Sequence, residues 1–238
     1  MPDDSYLTKE VLKELKRMNK NILTDKYLWN LTQDFNFYSD ICNVLTTIAC
    51  KKIGSYCKIF KAKKNENVIY IWIRGTDLIA KEGNGKIKIN WKEFLKDLLV
   101  DMFFFKKKLK DKMKIHAGFW MAVESIYISI ERFLFKQYFK KIVIFGHSMG
   151  GAMSKEVARR LDELFRNIKV ITFGTPRTGN KYYAKEFDNY DMIEYKSRTD
   201  IVTKLPLRVM NYRHTSKIKR LGKWGISIKA HLNYGEYL

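Results

Sequence analysis

The stretch that decides the fold is KKIVIFGHSMGGAMSKEVARRL, residues 140–161. A short apolar run ends in a glycine, a serine follows between further glycines, and apolar residues then recur at helical spacing. This order predicts a buried strand, a sharp turn and an amphipathic helix. The turn is too tight for side chains at its flanks, which explains the glycines, and it would hold Ser148 clear of the sheet. We interpret Ser148 as a candidate nucleophile rather than as an incidental serine in a glycine-rich turn.

A serine hydroxyl attacks efficiently only when a base removes its proton and a carboxylate orients that base. The sequence contains four histidines, which are His116, His147, His214 and His231. In a sheet with this kind of turn the acid and the histidine follow the serine along the chain, so we interpret His116 as a packing or hydrogen-bonding residue. His147 is next to the serine, and we expect its side chain to point away from the reaction centre as a bystander. His214 and His231 remain as candidate bases.

The best candidate for the carboxylate lies in SRTDIVTKLP, residues 197–206. Asp200 falls there just after a predicted strand, in a loop that leads to a proline. Asp188 and Asp191 are nearer to Ser148 in the sequence, but they flank a predicted short helix, where solvated surface carboxylates are expected. Asp200 is therefore the stronger candidate.

Strand and helix patterns alternate along the chain. Two strands, SYCKIFKAK and NVIYIWIRG, are joined by a polar turn, and three later strands, KIVIFG, IKVITFGTP and MIEYKSRTD, are separated by helical patterns over 116–139 and 150–166. The N-terminal segment 1–55 is predicted to be helical over 7–18 and 40–52, and the glycine-containing segment 77–90 is predicted to be a loop. This alternation predicts one α/β domain over 1–238, in which a mostly parallel sheet has helices on both faces.

Six segments carry a resemblance to a known family. IWIRGT, HAGF, FGHSMGGA, TFGTPRTGN, DIVTKLP and HLNY occur in this order over residues 71–234, about two thirds of the chain. They resemble the class 3 lipase family, α/β-hydrolases typified by fungal triacylglycerol lipases. The resemblance implies the α/β-hydrolase fold and a serine hydrolase of lipid esters that uses no metal and no organic cofactor.

The resemblance also implies roles for individual residues. Ser148 is implied to be the nucleophile, Asp200 the acid and His231, in HLNY, the base. Thr76, in RGT, matches a residue that helps to form the oxyanion hole, and Met149, directly after the nucleophile, would supply the second N–H group. The remaining candidate base, in NYRHTS, resembles a structural histidine of the family, which favours His231.

The chain departs from the family pattern after RGT. The family usually has a tryptophan and then Asp-Leu close to that point, at or beside a lid helix, whereas here Trp91 follows the basic segment 77–90. We therefore expect an altered lid or flap over 77–90, with Leu78, Ile79, Ile87 and Ile89 as its apolar points. The disulfides of secreted relatives are also missing, because the chain has only three cysteines.

The charge balance is strongly basic, with 46 Lys and Arg against 25 Asp and Glu, a net charge of +21. Such a chain is drawn to polyanions, although a lysine-rich composition alone could produce the same balance. A basic rim around the candidate site would suit an anionic membrane or lipid-droplet surface. The residues expected at this rim are Lys81, Lys86 and Lys88 in segment 77–90, and Lys217, Lys219, Arg220 and Lys223 in a loop before His231.

Several alternatives stay open at this point. The substrate is expected to be an acylglycerol, with a phospholipase A1 or lysophospholipase activity as the close alternative. A non-catalytic basic protein that binds membranes or nucleic acid is an alternative of another class, but no nucleic-acid-binding signature is present. The N-terminus shows no apolar signal segment and no run long enough to span a bilayer, so we expect an intracellular protein. The oligomeric state cannot be predicted from the sequence.

Overall fold

The computed structural model describes residues 23–74, 79–81, 87–89, 105–222, 225, 227 and 229–238. Within these residues the central element is a seven-stranded sheet in the order β1-β2-β3-β8-β9-β10-β11. The first two pairings are antiparallel and all the others are parallel. The strands of this sheet are β1 (Cys42–Cys50), β2 (Ser55–Ala62), β3 (Asn65–Arg74), β8 (Lys141–His147), β9 (Ile168–Phe173), β10 (Asp191–Ser197) and β11 (Ile218–Leu221).

Two small antiparallel ribbons and several helices complete the described part. The ribbons are β4 (Ile79–Lys81) with β5 (Ile87–Ile89), and β6 (Lys106–Lys108) with β7 (Lys114–His116). The α-helices are α1 (Asp25–Gln33), α2 (Phe35–Tyr38), α3 (Ala117–Leu134), α4 (Met149–Leu161) and α5 (Lys181–Lys185). Short 3₁₀ helices occur at Ser39–Ile41, Glu186–Asn189, Val202–Lys204, Arg208–Met210, Lys229–Leu232 and Gly235–Tyr237.

The two faces of the sheet are buried in two separate apolar cores. Along β3, Ile69, Ile71 and Ile73 face one core, while Tyr70 and Trp72 face the other. This alternation follows from the two-residue period of a strand, and a strand buried on both faces must be apolar at every position. Helices α3 and α4 cover the first face, and α1 with the C-terminal segment covers the second. The predicted α/β-hydrolase architecture, a mostly parallel sheet with helices on both faces, is confirmed.

The prediction of a helix over 40–52 is wrong. These residues form the edge strand β1, which pairs antiparallel with β2 from Cys42 opposite Ala62 to Cys50 opposite Ser55. The apolar residues have helical spacing, but the β-branched residues Val44, Thr46 and Ile48 favour an extended backbone. The neighbouring strand β2 supplies hydrogen-bond partners that an isolated helix pattern does not reveal. The described helices before this strand are α1, α2 and the 3₁₀ helix Ser39–Ile41.

Two expectations about loops also need correction. Segment 77–90 contains the ribbon of β4 and β5, in which Ile79 pairs with Ile89, so it is not wholly a loop. Residues 217–221 were expected in a loop before His231, but Ile218–Leu221 form the edge strand β11, parallel to β10. The helix predicted over 7–18, the oxyanion candidate Thr76 and the expected rim residues Lys86 and Lys223 lie outside the described residues. None of the described helices is long and apolar enough to cross a membrane.

Candidate active site

Ser148 occupies the turn between β8 and α4 in a conformation that non-glycine residues rarely adopt. Its φ is 56° and its ψ is −125°, an arrangement that costs of order 1–3 kcal/mol and persists only where the surroundings impose it. An added Cβ at Gly146 would lie 2.6 Å from the backbone of Gly150 and 2.7 Å from the carbonyl oxygen of Ile73. A side chain at position 146 would therefore prevent the strand and the helix from approaching, which is the reason for the glycine.

The Ser148 hydroxyl is buried, with 4% of the residue exposed. It does not cap α4, and Oγ makes no hydrogen bond with any residue that the structure describes. Buried hydroxyls nearly always have a partner, so a hydroxyl without one needs a reason. By comparison, Ser154 on the same helix is also buried, and its Oγ donates to the carbonyl oxygen of Gly150 at 2.7 Å.

Asp200 and His231 form a fully buried pair. His231 Nδ1 lies 2.8 Å from Asp200 Oδ2, and neither side chain is exposed. Because a carboxylate accepts, Nδ1 carries the proton. Tyr234 donates its hydroxyl to the same Oδ2 at 2.7 Å, and the N–H of Val202 donates to Oδ1 at 2.8 Å. Three donors thus hold the carboxylate, and burial together with its negative charge raises the pKa of the Tyr234 phenol.

The dipeptide Phe173-Gly174, at the end of β9, joins Ser148 to this pair. The N–H of Ser148 donates to the carbonyl oxygen of Phe173 at 2.9 Å. Gly174 has a φ of +58°, and a Cβ added there would lie 2.9 Å from His231 Nδ1 and 3.1 Å from Asp200 Oδ2. The structure therefore brings all three predicted residues, which lie far apart in the sequence, around one dipeptide.

The expectation that the His147 side chain points away from the site is wrong, whereas its expected role as a bystander in the chemistry stays a prediction. Its Nε2 lies 2.8 Å from the carbonyl oxygen of His231, and the two imidazole rings are 4.4 Å apart between centroids. A carbonyl only accepts, so Nε2 of His147 is the donor. Burial, followed by the nearby His231, lowers the pKa of His147 well below 6.5 and keeps this ring neutral. Trp29 of α1 packs edge-on against the ring, with centroids 5.2 Å apart.

The other two histidines are engaged elsewhere. His116 caps α3 by accepting from the N–H of Gly118 at 3.1 Å, which agrees with a hydrogen-bonding role. His214 is the alternative base from the sequence, and its Nδ1 lies 2.6 Å from Glu194 Oε1 while its Nε2 lies 2.7 Å from the carbonyl oxygen of Thr203. It is therefore part of a buried polar cluster below β10.

Glu194 is the centre of this buried polar cluster. It is fully buried and also contacts Lys155 Nζ at 3.3 Å and Thr215 Oγ1 at 3.1 Å. Burial opposes its ionisation, but the charges of Lys155 and His214 and the hydrogen bonds outweigh burial and lower its pKa to about 2. The cluster links α4 to β10 and to the loop before β11, so it supports the elements that carry the candidate site.

The start of α4 supplies the candidate oxyanion donor. Met149 is the first residue of the helix, where the peptide N–H groups and the helix dipole favour negative charge. It packs against a small apolar cluster of Phe119, Ala152 and Val202, so the helix start also forms an apolar wall. The second predicted donor, Thr76, lies outside the described residues. Among the described residues, no group of three His, Cys, Asp or Glu side chains is placed to hold a metal ion.

Sequence reasoning missed three residues of the site. Tyr234 lies in HLNY, the segment that was singled out for His231, and Gly174 lies in TFGTPRTGN, which was used only for the family resemblance. His147 lies in the turn itself, but its orientation depends on the C-terminal segment that packs on it. The sequence feature that could have indicated Tyr234 is its position three residues after the candidate base His231.

The chain matches the model of a known protein family. A family model described as Lipase (class 3) matches residues 70–210, which is more than half of the chain. This range includes Ser148 and Asp200.

Individual proteins that are similar to the chain are also named as lipases or phospholipases. The secreted mono- and diacylglycerol lipase 1 of Fusarium solani is 32% identical over 173 residues, covering 69% of this chain and 46% of that protein. The chloroplastic phospholipase A(1) DAD1 of Arabidopsis thaliana is 30% identical over 83 residues, 33% of this chain and 19% of that protein. The chain thus spans less than half the length of these curated relatives.

Solved structures show the same fold at low identity. A lipase from Rhizopus microsporus var. chinensis has a TM-score of 0.70 at 17% identity, with 88% of this chain and 85% of that chain covered. The Rhizomucor miehei lipase propeptide complex has a TM-score of 0.68 at 15% identity, with 94% and 81% covered.

Proposed function

Because the chain belongs to the class 3 lipase family, we propose that it is a serine carboxylic-ester hydrolase acting on lipids, with Ser148 as nucleophile, His231 as base and Asp200 as the acid. The observation that carries the proposal is the buried Ser148 hydroxyl, at positive φ and without a partner among the described residues, beside the buried acid–base pair. A strained turn that displays an unsatisfied hydroxyl is the arrangement expected of a nucleophile that meets its partner only in the substrate complex.

The proposed reaction proceeds through an acyl-enzyme. His231, with Nδ1–H donated to Asp200, takes the proton through Nε2 as Ser148 Oγ attacks the acyl carbonyl carbon. The backbone N–H groups of Met149 and Thr76 stabilise the oxyanion. The alcohol leaves with the proton from the histidine, and water then cleaves the acyl-enzyme by the same route. These steps require no metal and no organic cofactor.

The preferred substrate in this proposal is an acylglycerol. The Fusarium solani relative is named a mono- and diacylglycerol lipase, which supports this class. A phospholipase A1 or lysophospholipase activity is the second candidate, favoured by the net charge of +21 and by the relative named phospholipase A(1). We place the substrate at an anionic membrane or lipid-droplet surface, and an intracellular location stays a prediction.

Replacement of the nucleophile is the direct test. Ser148→Ala should lower kcat for a short p-nitrophenyl ester by about 10⁴-fold or more, because residues of such a unit act together. Ser154→Ala is the matched control: it removes a buried hydroxyl from the same helix and should leave turnover at the parent level. A fluorophosphonate probe should add its phosphonyl group to the parent and to Ser154→Ala, with loss of fluoride, and not to Ser148→Ala.

Two results would contradict the proposal. Equal background rates in the parent and Ser148→Ala would favour a non-catalytic basic protein. Equal labelling of all three proteins would mean that another side chain is the nucleophile. Fatty-acid release from triacylglycerol, diacylglycerol and phospholipid dispersions, measured side by side, separates the two substrate classes.

A further inference from the structure

Three large apolar side chains are exposed on two segments that are distant in sequence. Phe105 is 74% exposed, Leu207 46% and Val209 89%. Single exposed apolar residues are ordinary, but several on adjoining segments require an explanation. We call the surface formed by residues 105–108 and 207–213 the cationic face.

The two segments of the cationic face are held side by side. Lys106 Nζ donates to the carbonyl oxygen of Met210 at 2.5 Å and lies 4.4 Å from the centroid of the Tyr212 ring. The carbonyl oxygen of Phe105 accepts from the N–H of Ala117 at the start of α3. The backbone of Phe105 is therefore held at the start of α3, and the next residue, Lys106, contacts the 207–213 loop.

The loop that presents Leu207 and Val209 is held by hydrogen bonds from Arg177. Arg177, itself 8% exposed, donates its guanidinium to the carbonyl oxygens of Lys204 and Pro206, the latter at 2.6 Å. Its backbone N–H also donates to the carbonyl oxygen of Leu205 at 2.7 Å. These bonds fix the backbone just before the exposed residues, so their exposure is a property of the fold.

The same loop begins at the candidate site. The N–H of Val202 donates to Asp200, and Val202 and Leu205 pack in the apolar cluster that includes Met149, next to Ser148. The chain thus runs from the acid, along the wall beside the nucleophile, and outward to the cationic face. A surface that binds here would lie beside the candidate site.

The charges of the cationic face have one sign. Its eleven residues include five basic side chains, Lys106, Lys107, Lys108, Arg208 and Arg213, and none that is acidic. Basic side chains pair with lipid phosphates, while aromatic and aliphatic side chains enter the boundary between head groups and acyl chains. A nucleic acid would use the charges but would leave Leu207 and Val209 in water.

We propose that the cationic face docks the protein on an anionic lipid bilayer, with Phe105, Leu207 and Val209 inserted among the head groups. The exposed basic side chains would contact lipid phosphates, and these are Lys107, Lys108 and Arg208. This inference rests on the proposed lipid-ester hydrolase activity. It identifies the surface on which the enzyme would meet its lipid substrate. Its residues, on β6 and on the loop after Asp200, are different from those of the rim expected from the sequence, which stays a prediction.

The test measures vesicle binding without turnover. In a Ser148→Ala background, co-sedimentation is measured with vesicles of phosphatidylcholine alone and of equal parts phosphatidylcholine and phosphatidylglycerol. We expect binding to the mixed vesicles that weakens as salt is raised. Each basic residue near an anionic surface contributes about fivefold, so Arg208→Glu should weaken binding by about tenfold or more. Val209→Asp should reduce binding to a similar extent.

Matched controls come from α3, whose first residue bonds to Phe105. Ile128 is 51% exposed, and Arg132 lies in the last turn, roughly 22 Å along the helix from Ala117. Ile128→Asp and Arg132→Glu make the same kinds of change as Val209→Asp and Arg208→Glu. Both control proteins should bind vesicles as well as the parent does. Thermal unfolding of all four variants checks that each is folded.

Each outcome decides the inference. Equal binding by Arg208→Glu, Val209→Asp and their controls would overturn it, as would equal binding to both kinds of vesicle. Capture of an oligonucleotide by the cationic face, with no vesicle binding, would assign the face to nucleic acid instead. Hydrolysis of a soluble short ester is measured separately with the intact serine, and both face variants should retain it. If the parent does not hydrolyse the soluble ester, the proposed function is refuted, while the vesicle-binding result still stands.

Discussion

The substitution Gly174→Ala adds a single methyl group, which we expect to lower turnover beyond its effect on the stability of the fold. The residue has a φ of +58°, and an added Cβ would lie 2.9 Å from His231 Nδ1, 3.0 Å from His231 Cε1 and 3.1 Å from Asp200 Oδ2. Carbon atoms in comfortable contact are about 3.5–4.0 Å apart. The substitution Gly174→Ala must therefore displace the imidazole or the carboxylate by roughly 0.5 Å or more.

Two effects contribute to the expected magnitude. A non-glycine residue in the left-handed region costs about 1–2 kcal/mol, which would lower Tm by about 2–4 °C per kcal/mol for a chain of this size. Displacement of the base acts on catalysis, where a misplacement of about 1 Å can cost about 10²-fold. We expect kcat/KM for a soluble ester to fall about 10- to 100-fold, through kcat rather than KM.

Gly54 provides the control for backbone strain. Its φ is +75°, in the turn between β1 and β2, and an added Cβ there meets no atom within 4 Å. Gly54→Ala should lose a comparable amount of stability and keep the parent kcat/KM. The assay is steady-state hydrolysis of a p-nitrophenyl ester together with thermal unfolding of both variants. If Gly174→Ala keeps full turnover, or if both variants lose the same fraction, the steric argument at the acid–base pair is refuted.

Two further predictions concern hydrogen bonds and pH. His147→Phe keeps a ring beside His231 but removes the hydrogen-bond donor to the carbonyl oxygen of His231, so we expect kcat to fall about tenfold. His147→Gln restores a donor and should recover part of this loss. Equal kcat in the two variants would show that the hydrogen bond does not position His231. Glu194 has a folded pKa of about 2 against an ordinary value of 4.5, so its ionised form stabilises the fold above pH 4.5, and about 3 kcal/mol is lost as pH falls towards 2. In Glu194→Gln the unfolding free energy, measured in urea between these pH values, should fall less steeply with acid, and an unchanged slope would contradict the assignment.

Local sequence determined the strand, turn and helix around Ser148. Residues 140–161 contain the apolar run, the glycines and the helical period within one stretch, and each of these properties acts over only a few residues. The same is true of β2, β3 and α3, whose patterns predict their type. The order of the motifs was enough to select Asp200 and His231 as candidates.

Other features were decided by contacts between distant segments. β1 has helical spacing but extends because β2 lies beside it as a hydrogen-bonded partner. His147 contacts the candidate base because the C-terminal turn packs on the end of β8, and sequence adjacency to Ser148 says nothing about that turn. Gly174 is constrained by two side chains that follow it by 26 and 57 positions.

The cationic face is the clearest case of this kind. The run of lysines at 106–108 and the loop at 207–213 are ordinary basic segments in the sequence, and neither belongs to the basic rim expected from it. Only the tertiary structure brings them together, through the bond from Lys106 to the carbonyl oxygen of Met210. Secondary structure follows from short-range patterns, but the neighbours of a side chain depend on how the sheet is ordered. The sequence alone therefore determined the candidate chemistry, and the fold decided which residues support it and which surface adjoins it.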